Sequence, residues 1–378
     1  MRRPALSFTA LLLGLLVLPR LIAAPATTVL TGEIEGAKYT IAAPAARADW
    51  NGNLLLIAHG YRPETAPLVA DLNPAQAAYA TLLAEGWIVA KTSYRRNGII
   101  VQDAITDLAN LHAHIRAQFG PPSRSIVMGD SMGGTIATLL AESESPPYDG
   151  LIAIGAALDL REDNGAGAVN LQPRHPLLFI ANRSEFEGPS AYTETVLQRP
   201  TSVALTAPAL FRVDRDGHVN VNQAERLYAI RAMELWLEHG SRALPDDAQT
   251  PASPHDGTVQ PVARDSAVTF DADGRGFTAT VTDVSAIYGN VWLNAQPADF
   301  AAIGLTSGLW ARLTAGDETY RVRHGTDFSD VERGQWVVFP NADGFYWLSR
   351  NWANAAETAN LQLGDTVHIR RFDTAEKN

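Results

Sequence analysis

Ile126-Val127-Met128-Gly129-Asp130-Ser131-Met132-Gly133-Gly134-Thr135-Ile136-Ala137 joins a strand signal to a helix signal through a single sharp turn. It opens as an apolar run, breaks at a glycine, presents one serine and resumes in small and apolar residues. The first part suits a buried strand and the last part a helix. Between them, Gly129-Asp130-Ser131-Met132-Gly133 fits Gly-x-Ser-x-Gly, a sharp strand-to-helix turn that exposes the serine Oγ. Side chains two residues before and after that serine would collide, so glycine is needed at both places.

The pattern extends in both directions. Continuous apolar runs at 53–58, 87–92, 124–128, 150–155, 177–181 and 209–213 read as strands buried on both faces. Helical patterns at 74–85, 103–119, 133–141 and 223–239 separate them. In 103–119, Ile105, Leu108, Leu111, His112, Ile115 and Phe119 share one face. Residues 27–50 read as a β lead-in with Tyr39-Thr40-Ile41 as one strand. Alternation of this kind predicts an α/β fold: a doubly wound, mostly parallel sheet with helices on both faces. Sites in such sheets lie at the carboxyl ends of strands. His59, Ser131, Glu185 and His218 each follow a predicted strand directly.

Residues 240–257 hold Pro245, Pro251, Pro254 and Gly257 with few apolar residues, which reads as a linker. Beyond it the pattern changes to short runs such as Phe277-Thr278-Ala279-Thr280-Val281, Val291-Trp292-Leu293, Trp336-Val337-Val338-Phe339 and Thr366-Val367-His368-Ile369, set between Gly, Asp and Asn turns. That predicts an all-β barrel or sandwich. The tryptophans 292, 310, 336, 347 and 352 read first as packing and second as a binding platform. The expected organisation is a leader over 1–26, a catalytic domain over 27–240, a linker over 241–258 and a β-domain over 259–378.

The 378 residues carry a formal net charge of −11, which argues against a nucleic-acid partner. The absence of cysteine excludes disulfides, thiolate catalysis and cysteine-ligated metals. Met1-Arg2-Arg3, the apolar run from Ala5 to Leu18, and Ala23-Ala24-Pro25-Ala26 read as a secretory signal peptide. An uncleaved anchor is the rival reading; the apolar run is short for a spanning helix, and Pro19-Arg20 interrupts it. The expectation is export to the periplasm or the extracellular space, without stable membrane insertion.

An elbow serine needs a base to become a nucleophile. His218, in Asp214-Arg215-Asp216-Gly217-His218-Val219-Asn220, lies after the last strand and before the last helix, downstream of Ser131. The orienting acid is expected in Asn182-Arg183-Ser184-Glu185-Phe186-Glu187-Gly188. Glu185 is preferred, with Glu187, Asp214 and Asp216 as alternatives, the two aspartates reading rather as turn formers. The oxyanion needs two aimed N–H donors; the amides of Tyr61 and Met132 are expected to supply them. His59 reads as shaping the oxyanion loop. His112-x-His114 is a poor metal site, because residues i and i+2 of a helix point apart. Asp271-x-Asp273-Gly274 and Asp214-x-Asp216-Gly217 lack the remainder of a calcium loop.

Ala58-His59-Gly60-Tyr61, Gly129-Asp130-Ser131-Met132-Gly133-Gly134 and Asp216-Gly217-His218-Val219-Asn220, with Trp50-Asn51-Gly52 before them, resemble secreted bacterial α/β-hydrolases of the prolyl-oligopeptidase-like and feruloyl-esterase-like kind. The resemblance covers roughly 30–240 and implies that fold, with Ser131 and His218 in the reaction; the acid loop departs from the usual Asp-Pro pattern. The elbow and the Gly60-Tyr61 loop also look like those of bacterial polyester hydrolases and cutinases. Ile287-Tyr288-Gly289-Asn290-Val291-Trp292-Leu293-Asn294 and Leu363-Gly364-Asp365-Thr366-Val367 resemble the C-terminal β-domain of S-adenosylmethionine hydroxide adenosyltransferases and fluorinases. That implies a fold and a tendency to self-associate, but not the activity, since the other half of the nucleoside site is missing.

The expected function is hydrolysis of carboxylic esters, polyesters or aromatic esters among them, with no cofactor and no metal. A peptidase or amidase on the same residues is the first rival. The second is a binding protein whose β-domain carries the function.

Overall fold

A computed structural model describes residues 25–199, 205–240 and 267–372. All but the last two residues of the expected leader, and the whole of the expected linker, lie outside the described residues. Among the described residues no helix is long and apolar enough to cross a membrane.

The first sheet contains β1 (Thr27–Ile34), β2 (Ala37–Pro44), β3 (Asn53–Ala58), β4 (Ile88–Thr92), β5 (Arg124–Asp130), β6 (Gly150–Ile154), β7 (Leu177–Asn182) and β8 (Ala209–Val213), in spatial order 1-2-4-3-5-6-7-8. β1 and β2 form an antiparallel hairpin, and β2 adds antiparallel to β4. From β4 to β8 every neighbour is parallel. Helices α1 (Ala77–Ala84), α2 (Val101–Phe119), α3 (Met132–Glu142), α4 (Glu187–Leu197) and α5 (Gln223–His239) cover both faces. Leu54 and Leu56 of β3 join Leu108, Ile136 and Tyr192 in one core. Leu55 and Ile57 join Leu82, Ile230 and Met233 in the other. Successive strand residues point to opposite faces, so burial on both sides demands an unbroken apolar run.

The second sheet contains β9 (Thr269–Phe270), β10 (Gly276–Val284), β11 (Val291–Leu293), β12 (Trp310–Ala315), β13 (Glu318–His324), β14 (Trp336–Pro340), β15 (Tyr346–Arg350) and β16 (Thr366–Arg371). Its order is 11-15-14-13-12-16-10-9, and β10 also pairs with β11. Seven strands therefore close into a barrel, with β9 appended. Of the two alternatives, barrel or sandwich, the chain forms the barrel. Phe277, Leu313, Val338, Leu348 and Ile369 fill it. Phe300, on the short helix Pro297–Ala302, stacks on Tyr346 with ring centroids 4.1 Å apart. Trp336 is buried against Tyr320, and Trp292 and Trp347 pack edge to face at 5.3 Å. Trp352 is 64% exposed.

Some elements differ from expectation. α4 and the short helices at 297–302 and 355–358 lack a long amphipathic period, and β1 is mostly exposed and polar. α1 begins at Ala77 and not at Pro74, α2 at Val101 and not at Asp103.

At the elbow the layers meet closely. A Cβ at Gly133 would lie 1.9 Å from the Ala58 carbonyl oxygen, and one at Gly129 would lie 2.0 Å from that of Gly133. Both obstacles are backbone and cannot turn aside. Gly133→Ala is expected to destabilise the chain by about 3 kcal/mol or more, the upper end of over-packing costs. Urea unfolding followed by far-ultraviolet circular dichroism measures this, and an unchanged midpoint would refute the packing argument.

Candidate active site

Ser131 caps β5 and opens α3 with φ 56° and ψ −116°, a left-handed conformation that a serine adopts only when its surroundings enforce it. Its N–H donates to the Ile154 carbonyl of β6 at 2.8 Å, and its own carbonyl accepts from Thr135 N at 3.1 Å. The neighbouring Asp130 is held from α5 by both guanidinium nitrogens of Arg226, at 2.9 and 3.1 Å. The turn is thus anchored to β6 on one side and to α5 on the other, and Ser131 is only half-buried.

Nε2 of His218 lies 2.9 Å from Ser131 Oγ. Nδ1 of the same ring is hydrogen-bonded to Glu185 Oε1. The second carboxylate oxygen accepts from Val219 N at 3.4 Å. Gly155, with φ +53°, makes room: a Cβ there would lie 3.0 Å from each Glu185 oxygen and 2.9 Å from Val219. The structure therefore brings Ser131, His218 and Glu185 into one line at the ends of β5, β8 and β7. Of the alternative acids, Glu187 is exposed at the start of α4. Asp214 and Asp216 both pair with Arg183, at 3.2 and 2.6 Å. Burial disfavours the charged His218 ring, but the hydrogen bond and charge of Glu185, with Asp327 and Asp130 further off, outweigh it and hold the imidazole above the ordinary histidine value.

The loop after β3 passes directly over the serine. A Cβ at Gly60 would lie 3.0 Å from the Asp130 carbonyl oxygen and 3.2 Å from Ser131 Cβ, so a larger residue would have to push the elbow back by a few tenths of an ångström. Tyr61 follows. Neither the Tyr61 N–H nor the Met132 N–H has an acceptor among the described residues, and Met132 is the first residue of α3, where backbone donors are unfilled by the helix itself. His59 sits beneath the loop. Its ring packs on Tyr94 at 3.9 Å and touches the carbonyls of Gly60 (2.7 Å) and Ser93 (3.1 Å). Burial first, then Arg62 and Lys91, push its pKa down to about 3, so it stays neutral and shapes the loop.

Several supporting residues had no clear signal in the sequence. Asn182, fully buried at the end of β7, donates to the carbonyls of Arg215 (3.1 Å) and Asn220 (3.0 Å) and accepts from Asn220 N (2.8 Å). Ser184 Oγ donates to Gly217 O at 2.9 Å and accepts from Gly217 N at 3.0 Å. Arg215 forms a buried ion pair with Glu225 at 2.7 Å. Together they fasten the His218 loop to the Glu185 loop and to α5. A polar residue at the end of an otherwise apolar strand is the one hint that Asn182 offered. His112 and His114 do diverge: His112 meets Ser125 Oγ at 3.1 Å, and His114 packs on Tyr39. Asp271 and Asp273 pair with Arg370.

Two family models match the chain. Residues 97–210 match serine aminopeptidase, S33, and residues 283–368 match the SAM hydroxide adenosyltransferase C-terminal domain. The first match takes in Ser131 and Glu185 and ends before His218. No curated protein gives a significant match. Similar solved structures include Est1E from Butyrivibrio proteoclasticus, at 13% identity over 56% of this chain and 99% of that one, with a TM-score of 0.39. Dipeptidyl peptidase 4 from Porphyromonas gingivalis gives 12% identity over 57% of this chain and 36% of that one, with a TM-score of 0.43. An uncharacterized conserved protein from Thermotoga maritima gives 20% identity over 37% of this chain and 50% of that one, with a TM-score of 0.26. The chain thus spans half the length of the Thermotoga protein and about a third of the peptidase. The first sheet and its helices have the α/β-hydrolase fold, and a closed β-barrel follows them.

The charge balance at His218 is open to measurement. NMR titration of the ring is expected to give a pKa above 6.5 in the native chain. In Glu185→Gln the opposing burial should dominate and carry it below 6.5. A value unmoved by that substitution would dissociate Glu185 from the imidazole.

Proposed function

We propose that this α/β serine hydrolase cleaves carboxylic esters through an acyl-enzyme intermediate, outside the cytoplasm. The observation that carries the proposal is the Ser131–His218–Glu185 line on a strained elbow, with Ser131 Oγ 2.9 Å from His218 Nε2. In this reading Ser131 Oγ attacks the ester carbonyl carbon while His218 Nε2 takes its proton. Glu185, already bonded to Nδ1, fixes the ring and favours the imidazolium that forms. The carbonyl oxygen becomes an oxyanion between the N–H groups of Tyr61 and Met132, whose donors are aimed before the charge develops. Collapse breaks the bond to the alcohol oxygen, which leaves with the proton from His218. Water then attacks the acyl carbon as His218 takes its proton; the bond from that carbon to Ser131 Oγ breaks, His218 returns the proton to Oγ, and the acid departs with Ser131 regenerated. These residues supply every proton transfer, so the scheme calls for no cofactor.

The raised His218 pKa has a direct consequence for rate. Only the neutral imidazole accepts the serine proton, so kcat/KM should be low at acid pH and rise through a pKa above 6.5.

The peptidase reading is favoured by one observation, the match of 97–210 to the serine aminopeptidase model. An ester makes smaller demands on the same residues, because an alkoxide leaves more readily than an amine and no amide resonance has to be broken.

Ser131→Ala is expected to lower kcat on 4-nitrophenyl esters by about 10⁵-fold or more, as loss of a nucleophile does in comparable sites, and to abolish labelling by a fluorophosphonate probe. Residual activity near the native level would exclude Ser131 as nucleophile. Faster cleavage of peptide 4-nitroanilides than of the matched esters would replace the ester reading with the peptidase one.

A further inference from the structure

The barrel reaches the active site at several points. Asp343, between β14 and β15, accepts from Gln223 N at the start of α5, at 3.3 Å. Asp327, between β13 and β14, adds its charge to the field at His218. The closest engagement is at the oxyanion loop. There the Tyr288 hydroxyl donates to the Tyr61 carbonyl at 2.6 Å, and the Trp352 ring lies 5.5 Å from the Tyr61 ring.

The hydrogen bonds of that loop make the contact specific. The carbonyl of His59 accepts from Tyr94 Oη at 3.2 Å, Gly60 O meets His59 Nδ1 at 2.7 Å, Arg62 O accepts from Gly98 N at 3.0 Å, and Pro63 O accepts from Ala66 N at 2.9 Å. All four partners belong to the first domain. The carbonyl of Tyr61, the residue whose N–H is the proposed oxyanion donor, takes its partner from the barrel. The phenol is a dependable donor, since burial of its hydroxyl end pushes its pKa up to about 12.

Both barrel residues are held in place. Ser285 Oγ accepts from Tyr288 N at 3.1 Å, and the following Gly289, at φ +67°, closes the turn. A Cβ on Gly289 would lie 1.7 Å from Asn354 Oδ1, so the turn carrying Tyr288 is seated directly on the turn carrying Trp352. Trp352 itself has φ +57°, a conformation that costs a bulky residue of order 1–3 kcal/mol. Arg333 lies 4.5 Å over its ring. Even so the ring is 64% exposed, and its plane stands at 50° to that of Tyr61. Much of the Trp352 ring therefore stays open to solvent next to Tyr61, on the loop that passes over Ser131.

We propose that the barrel is a working wall of the active site: Tyr288 positions the oxyanion loop through the Tyr61 carbonyl, and Trp352 with Tyr61 receives an aromatic acyl group of the substrate. This rests on the ester-hydrolase reading above and assigns that reading its substrate class. Tyr288 is a positioning residue, acting through Tyr61. Trp352 is a specificity residue, touching the acyl ring that aliphatic esters lack.

The test uses the full chain and two esters with one leaving group, 4-nitrophenyl acetate and 4-nitrophenyl benzoate. Native turnover and fluorophosphonate labelling are read first; failure of both overturns the ester reading, and this proposal with it. Given turnover, Trp352→Ala should lower the benzoate-to-acetate ratio of kcat/KM by about tenfold, through KM for benzoate, in line with loss of one aromatic contact. Trp352→Phe should restore most of that ratio. Tyr288→Phe should lower kcat about tenfold on both esters with KM little changed, the mark of a contact that acts in the transition state. An unchanged ratio in Trp352→Ala, or an unchanged kcat in Tyr288→Phe, overturns the proposal while leaving the ester reading intact. Matching thermal unfolding midpoints among the variants separate these effects from loss of fold.

Discussion

The site depends on one steric constraint, the contact between Gly133 of α3 and the Ala58 carbonyl of β3, where a Cβ would lie 1.9 Å from oxygen. It lets the first turn of α3 drop onto the sheet, and Ser131 must take φ 56° to make the corner. The strain is offset by the layers that enforce it: the β6 carbonyl bound to Ser131 N, the Arg226 grip on Asp130, and the apolar cores on both faces of β5. Glycines at 60, 129 and 155 extend the same economy of space. Each removes a side chain where two backbones, or a backbone and the Glu185 carboxylate, come within contact distance.

Around that corner, electrostatics is arranged by exclusion as much as by attraction. The sequence offers four acids as partners for His218. Arg183 occupies two of them, Glu187 faces solvent, and Glu185 alone meets the ring. Beneath the Gly60-Tyr61 loop the opposite arrangement holds. His59 is buried beside Arg62 and Lys91 and remains neutral, while Asp71 pairs with both cations. One histidine is thus held ready to carry a proton and the other is kept from doing so.

How far the sequence revealed this depended on the range of the interaction concerned. Buried parallel strands announce themselves as unbroken apolar runs, and the elbow as glycines at fixed spacing, because both requirements are local. The short β-runs after 266 were visible as strands, but whether they closed was decided by β10 pairing with β11, which no single run encodes. α4 was missed because its helix is short and largely exposed, with a weak apolar face. Glu185 could be preferred in the sequence but not separated from three other acids, since what distinguishes it is the space left by Gly155 and the pairing of Arg183. Tyr288 lay inside a motif that resembled another family. Nothing near it in the chain pointed to Tyr61, its partner across 227 positions.

That last separation has a consequence for the order in which the chain is made. A ribosome releases Tyr61, Ser131 and His218 well before the barrel, and domains generally fold in the sequence in which they emerge. The first domain can therefore assemble its serine and histidine while the Tyr61 carbonyl still awaits the phenol of Tyr288. Closing so long a loop costs little more entropy than closing one half its length. What the distance adds is timing: the Tyr61 carbonyl receives the Tyr288 phenol only after the barrel has been made, well after Ser131 and His218 can meet.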